Sequence, residues 1–241
     1  MSKKIFGDPV PGWTPPPVPD GAPLRGRYAM LERMDPSAHA EALFAANAAD
    51  PGIWDYLPYG PFADPAGYAG WMTGMATCAD PFFYTVHDLD AGGRAGGVLS
   101  FLRIAPEAGS IELGHINFAP RLQRTRAATE AMLLMIGWAF SAGYRRFEWK
   151  CDALNLPSRR AAQRLGLSYE GVFRKATVVK GRNRDTAWFA ATDDDWPALR
   201  AAYATWLAAA NFDAEGRQIR RLADLTRPVL VMTDPVGGNA G

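Results

Sequence analysis

Glu112 and His115 lie in one strand-like run, IELGHINF, and both carry groups that exchange protons. A carboxylate or an imidazole can take a proton from a reacting group, and histidine has the intrinsic pKa nearest neutrality. The two are three positions apart, so a regular strand would turn them to opposite faces, as competing candidates rather than a dyad. After Pro120 the chain reads RLQRTRAATEA, with Arg121, Arg124 and Arg126 gathered where a helix begins. The first amides of a helix lack helical acceptors, so this junction suits a phosphate, and small Ala127 and Ala128 permit close approach. The same pattern also describes a capped helix with solvated arginines. Asp152 ends the next strand as a further candidate base. Cys151 has no positioned histidine partner and reads as a buried or pocket-lining thiol rather than a nucleophile; Cys78 reads the same way.

These groups need a scaffold, and the periodicity supplies a mixed one. A short strand is expected around 24–34, and helices after Asp35-Pro36 and Asp64-Pro65, where a capping carboxylate precedes a proline suited to the first helical position. Strands are expected at 82–89, from Val98, and at 111–118, separated by the turns DAGGRAGG and APEAG. Residues 127–142 form the strongest helix, YRRFEWKCD a strand, 155–165 a short helix stopped by Gly166, then strands at 168–179 and 185–192. Strand–helix–strand over 111–152 implies a βαβ crossover after a mostly antiparallel first half. A last helix follows Trp196-Pro197, residues 211–227 read as a docked or partly ordered tail, and 233–241 as frayed. The expected organisation is an arm (1–23), a domain (24–196), and a C-terminal helix and tail (197–241).

Composition excludes classes rather than naming a reaction. Lys plus Arg number 26 against 25 Asp plus Glu, so no global basic field exists for nucleic acid or an anionic membrane. No apolar run approaches the ~20 residues of a membrane span, and the start carries no secretory signal, so a cytoplasmic location with reduced thiols is expected. The spacing of the two cysteines and three histidines shows no paired metal-ligand pattern, so no metal is expected. Seven of the 19 prolines fall within the first 23 residues. That arm is either a disordered tail or an extended segment packed on the domain or a partner through Trp13.

Residues 111–174 resemble the acyl-coenzyme A binding half of the GCN5-related N-acetyltransferase (GNAT) superfamily, and the likeness extends over about 24–196. They look most like the bacterial branch that acetylates ribosomal-protein alanine and serine N-termini. The family's first motif is Q/R-x-x-G-x-G/A; here Gln123 opens it, Arg126 stands at the central glycine position, and Ala128 closes it. Asn155, Ser158, Arg159, then Leu165-Gly166-Leu167, then Glu170-Gly171 and Arg174 resemble the second motif, an N-x-x-S-x-R helix, LG turn and E-G-x-x-R strand.

The resemblance implies an α/β fold with a GNAT-like mixed, mostly antiparallel sheet flanked by helices and a central βαβ acyl-CoA-binding segment. It implies acetyl-CoA as acyl donor and direct attack by a primary amine, with no covalent enzyme intermediate. Gln123, Arg124, Thr125, Arg126, Ala127 and Ala128 would face the pyrophosphate. Arg126 would either add a phosphate contact or crowd the loop. Asn117 and Phe118 would flank the acyl group on a splayed strand. Asn155, Ser158 and Arg159 would line the pantetheine side, with Ser158 protonating the departing thiolate; local capping is the simpler role for Asn155 and Ser158. Glu112 best matches the family's base.

For the acceptor, the aromatics Trp54, Tyr56, Tyr59, Phe62 and Tyr68 would form one wall, with Asp55 and Asp152 to meet an incoming ammonium, and Arg182 and Arg184 in the turn 181–185 the opposite rim; the aromatics could equally just cover the sheet. A peptide N-terminus and a small-molecule amine both fit, and a homodimer through the arm or tail is open. The alternatives are a catalytically weakened acyl-CoA-binding regulatory protein and a structural or assembly module.

Overall fold

A computed structural model of the chain describes residues 4–236. Helix starts follow the local chemistry. Asp35 accepts from Ser37 N ahead of α1 (Pro36–Asn47), Asp64 from Gly67 N ahead of α2 (Pro65–Ala76), and Thr125 from Ala128 N ahead of α3 (Arg126–Ser141). Asn155 caps α4 (Leu156–Arg164), which ends at Gly166 with φ 87°, a left-handed geometry suited to glycine. Trp196–Leu207 forms α5.

Among the described residues one sheet has eight strands: β1 (Leu24–Arg25), β2 (Ala29–Arg33), β3 (Phe82–Asp88), β4 (Arg94–Ala105), β5 (Ser110–Phe118), β6 (Arg146–Asp152), β7 (Ser168–Val179) and β8 (Arg182–Thr192). Their order is β1-β2-β3-β4-β5-β6-β8-β7, antiparallel throughout except for β5 and β6. The β5–α3–β6 passage is the expected βαβ unit. Strands β4 and β8 begin earlier than the alternation suggests, because hairpin pairing continues into the glycine-rich turns.

Strand alternation sorts side chains between two faces. Ile111 and Leu113 of β5, Phe147, Trp149 and Cys151 of β6, and Ala187 and Phe189 of β8 join the main core with α3 and α5. The opposite face carries a second core of Leu43, Trp54, Tyr68, Met72, Phe83 and Val98, beneath α1 and α2. Those helices cover β3 and β4 but stop short of β6 and β8, leaving room there for polar side chains.

The termini pack onto the domain. Pro16 and Pro19 are buried, Tyr144 donates its hydroxyl proton to Pro17 O (3.1 Å), and Trp13 lies against Gly109. The arm therefore runs across its own domain. The tail is docked well beyond residue 227: Tyr169 N donates to Met232 O, Val231 N to Ser168 Oγ, and Asp234 is buried. Of the stretch expected to fray, 233–236 is described and docked, and 237–241 lies outside the described residues.

Candidate active site

Parallel pairing between β5 and β6 runs only from Ser110↔Arg146 to Leu113↔Trp149. Beyond it β5 stays with β4 as far as Phe118, and β6 stays with β8 as far as Asp152. The two strands part, and the facing edges of 114–118 and 150–152 carry peptide groups unpaired with each other. Two helix starts stand over this opening, α3 after β5 and α4 after β6. Thr125 Oγ1 accepts from Ala128 N (3.0 Å), leaving the Arg126 and Ala127 amides with no earlier helical carbonyl to bind. Gln123 Nε2 donates to Phe118 O (2.9 Å) and ties the loop to the strand. Arg124 sits at φ 62°, turning the loop back into the helix.

Arg126, at the family's glycine position, turns its guanidinium to Asp90 (2.5 Å) and lies 4.3 Å over the Tyr28 ring. The contact with Asp90, chiefly its hydrogen bond, holds Arg126 firmly charged. Arg124, Arg126, Arg164 and Arg217 line a cleft of about 350 Å³ with Trp206 and Phe212. Arg217 and Phe212 come from the C-terminal segment, which no local signal connects to this loop.

Strand β5 is interrupted where the chemistry was expected. Between the pairs Val98↔Asn117 and Ser100↔Gly114 one residue of β4, Leu99, opposes two of β5, His115 and Ile116, and His115 adopts φ 50°. This is a β-bulge, which re-aims one side chain. Phe83, Ser100 and Gly114 are consecutive cross-strand partners and so share a face, which Glu112 joins two residues away. The His115 ring lies 5.3 Å from Phe83 and stacks at 5.5 Å on Tyr59, so it is on that face too. The expectation of opposite faces is thus corrected: the bulge brings Glu112 and His115 to one side of the sheet.

Their environments push them in opposite directions. Burial raises the Glu112 carboxyl above its usual range, with Arg103 and Lys150 opposing; both cations touch it at 2.8–2.9 Å. Burial, then the positive Arg103 and Arg184, lower the His115 imidazole to about 4. At neutral pH His115 is therefore uncharged. Lys150 also holds Glu148 at 2.7 Å and lies 3.8 Å over the Trp188 ring, extending the polar face across β6 and β8. Asp152 continues that face by alternation, with Oδ1 accepting from Leu154 N. Asn117, 2% exposed, has both side-chain polar atoms without a hydrogen-bond partner, as does the buried Nε of Arg184.

Ser158 belongs to the other side of the opening. Its Oγ accepts from Trp149 Nε1 (3.0 Å), and the side chain also bonds to Cys151, whose thiol burial pushes up to about 11. Cys151 is thus a protonated core thiol at neutral pH. Asn155 accepts from Ser158 N (3.1 Å), the capping role. Arg159 is buried against a partner 75 residues away, making bonds of 2.6 and 2.5 Å to the Asp234 carboxylate and 2.7 Å to Ala153 O.

Of the aromatic wall, Trp54 is a core residue, 5% exposed, ringed by Tyr59, Phe62 and Tyr68. Tyr59 faces His115, and its buried hydroxyl has no hydrogen-bond partner. Tyr56 is exposed and donates to Leu154 O (3.3 Å) in the β6–α4 loop, and Asp55 is exposed beside it. Lys180 donates to Trp54 O (2.8 Å), so the β7–β8 hairpin joins the aromatic loop rather than facing it from an opposite rim.

Residues 29–168 match the acetyltransferase (GNAT) domain family. A GCN5-related N-acetyltransferase from Brucella melitensis is 42% identical over 90% of this chain and 100% of its own, with a TM-score of 0.88. A probable GNAT-family acetyltransferase from Chromobacterium violaceum ATCC 12472 is 39% identical over 82% and 100%, with a TM-score of 0.76. The microcin C7 self-immunity acetyltransferase MccE, in complex with acetyl-CoA and AMP, shares the fold at 18% identity, over 69% and 93%, with a TM-score of 0.62. No curated protein matches the chain. Among the described residues no helix is long and apolar enough to cross a membrane. With its strands parted beneath two helix starts and this match across most of its length, the chain belongs to the GNAT superfamily and is an acetyl-CoA-dependent N-acetyltransferase.

Proposed function

We propose that the chain acetylates a primary amine, on a peptide N-terminus or a small molecule, by direct attack across the β5–β6 opening. The carrying observation is that opening itself: Ser158 stands on its α4 side, and Glu112 and His115 stand on the α1/α2 face. The arrangement fits acetyl-CoA. Parted strand edges suit an extended amide-bearing chain, free α3 amides beside arginines suit a pyrophosphate, and the unpartnered Asn117 amide awaits a polar group. When bound, acetyl-CoA supplies a thioester carbon as electrophile.

The protein positions the amine and manages two protons. Gln123, Arg124, Thr125, Arg126, Ala127 and Ala128 hold the phosphates, and Asn117 and Phe118 orient the acyl end. Asn155 and Arg159 set the start of α4 so that the Ser158 hydroxyl can give its proton to the leaving sulfur. Glu112 receives the amine proton, directly or through water, because its raised carboxyl is a stronger base than a free one; Arg103 and Lys150 keep it ionised. The neutral His115 packs with Tyr59 and accepts a hydrogen bond from the ammonium. Tyr56, Asp55 and Asp152 line the approach, with Trp54 supporting the loop from beneath. The buried Arg184 Nε favours an acceptor that also carries a carboxylate or phosphate. The enzyme acts in the cytoplasm.

A screen of amines with acetyl-CoA and thiol detection tests this. Saturable, amine-dependent thiol release is expected, strongest for amines that carry an anion. Acetyl-CoA binding without release to any peptide or small amine would overturn the reading in favour of a regulatory coenzyme-binding protein.

A further inference from the structure

We propose a divalent transition-metal site on the same α1/α2 face of the sheet but over β2 and β3, toward the β1 edge, made by Glu32 Oε1, His39 Nε2 and His87 Nε2. It lies outside the acetyl-transfer site and does not depend on that assignment. The three side chains come from β2, α1 and β3, and their ligating atoms lie within 4.8 Å of one another. Oε1 stands 2.9 Å from His39 Nε2 and 2.8 Å from His87 Nε2. Two imidazoles and a carboxylate are the donor set of zinc, cobalt and non-haem iron centres.

The ring tautomers carry the argument. His87 Nδ1 lies 3.0 Å from Gly93 O, a carbonyl that can only accept, so Nδ1 bears the proton. In the neutral ring Nε2 is then a bare lone pair, buried, facing a carboxylate oxygen without a hydrogen bond. Two acceptors at 2.8 Å need a proton or a metal ion between them, and a backbone carbonyl behind the ring is a usual support for a metal-bound histidine. His39 Nδ1 has Thr85 Oγ1 at 3.0 Å, a hydroxyl able to accept the ring proton when Nε2 takes a metal. Asp35 N now donates to that nitrogen (3.1 Å), so loading the site requires this amide to give up His39 and turn to solvent at the start of α1. Metal–ligand bonds near 2.0–2.1 Å place tetrahedral neighbours about 3.3 Å apart, so the site opens by roughly 0.4–0.5 Å on loading. Glu32 is half-buried, which leaves the remaining positions to water and gives an entry path. The ion would pin α1 to the β2–β3 pair.

The test is titration of the metal-free full-length protein with Co²⁺ and Zn²⁺, followed by the visible cobalt spectrum and by calorimetry. One ion per chain, a cobalt spectrum of histidine and carboxylate ligation, and a zinc-dependent rise in Tm are expected. Glu32→Gln and His87→Gln should each weaken binding by at least about tenfold. Glu32 is half exposed, so its variant keeps the test valid if His87→Gln misfolds. Absence of stoichiometric binding by the wild type, or wild-type affinity in Glu32→Gln, overturns the proposal. Acetyl-transfer activity is not its readout, so it stands or falls separately from the enzyme's substrate assignment.

Discussion

Replacing Asp234 with alanine strips Arg159 of its carboxylate partner inside the protein. The side chains are 4% and 0% exposed, and the two bonds are 2.6 and 2.5 Å. Removing one member of a buried pair costs about 3–5 kcal/mol, because the remaining charge is left desolvated. Arg159 keeps its bond to Ala153 O, which points to the lower end, about 3 kcal/mol. For a chain of this size, each kcal/mol lowers Tm by about 2–4 °C, so a fall of about 6–12 °C is expected. If the tail lets go before the domain unfolds, the loss appears instead as faster amide exchange at Tyr169 and Val231, whose N–H groups bond to Met232 O and Ser168 Oγ. Thermal unfolding and amide exchange are measured together. A double replacement, Asp234→Leu with Arg159→Met, should recover most of the loss, since an apolar pair needs no partner charge. A Tm within about 1 °C of wild type with unchanged exchange would refute the reasoning. Arg159 lies in the first turns of α4, so the single variant should also raise KM for acetyl-CoA more than it lowers kcat.

Glu112→Gln should reduce kcat by about 10²–10⁴, the span of general-base catalysis, and abolish the acidic limb of the pH–rate profile; overlapping profiles for variant and wild type would exclude Glu112 as the base. Ser158→Ala should slow transfer from acetyl-CoA by about 10² while coenzyme binding holds within about threefold; an unchanged rate rules out the acid role. His115 is held near 4 when folded, against about 6.5 unfolded, so the native state binds fewer protons between those values. Stability should fall as pH drops from 6.5 towards 4, by up to about 3 kcal/mol, and His115→Gln should flatten that slope in urea titrations; equal slopes would show the ring titrates normally. Glu130 receives the N–H groups of Arg27, Tyr28 and Ala29 at 2.5–2.9 Å, so Glu130→Ala should cost about 3 kcal/mol or more in chemical unfolding.

Much of the scaffold was readable along the chain. The Asp-Pro pairs before α1 and α2, and the glycine after α4, are steric and hydrogen-bonding signals contained within a few residues. The βαβ unit followed from the change of hydrophobic period. The first site signal to fail was the most regular one: alternation sent Glu112 and His115 apart, because it assumes an uninterrupted strand. One extra residue on β5, with His115 at φ 50°, reverses the answer, and Gly114 beside it is the only local hint. For Trp54 the aromatic run left a pocket wall and a cover for the sheet both open, and packing against Phe62 and Tyr68 makes it the hub of an aromatic core.

The sequence by itself determined where helices begin, which runs form strands, and the order of motifs that marks the superfamily, because caps, turns and periodicity act over a few residues. The tertiary structure alone decided how far β5 and β6 stay paired and which face each charged group takes. It also decided that Asp234 neutralises Arg159, and that His39 and His87 meet over Glu32. Those outcomes depend on packing between segments tens of residues apart. Spacing along a chain carries no record of which distant backbone will fold beside it.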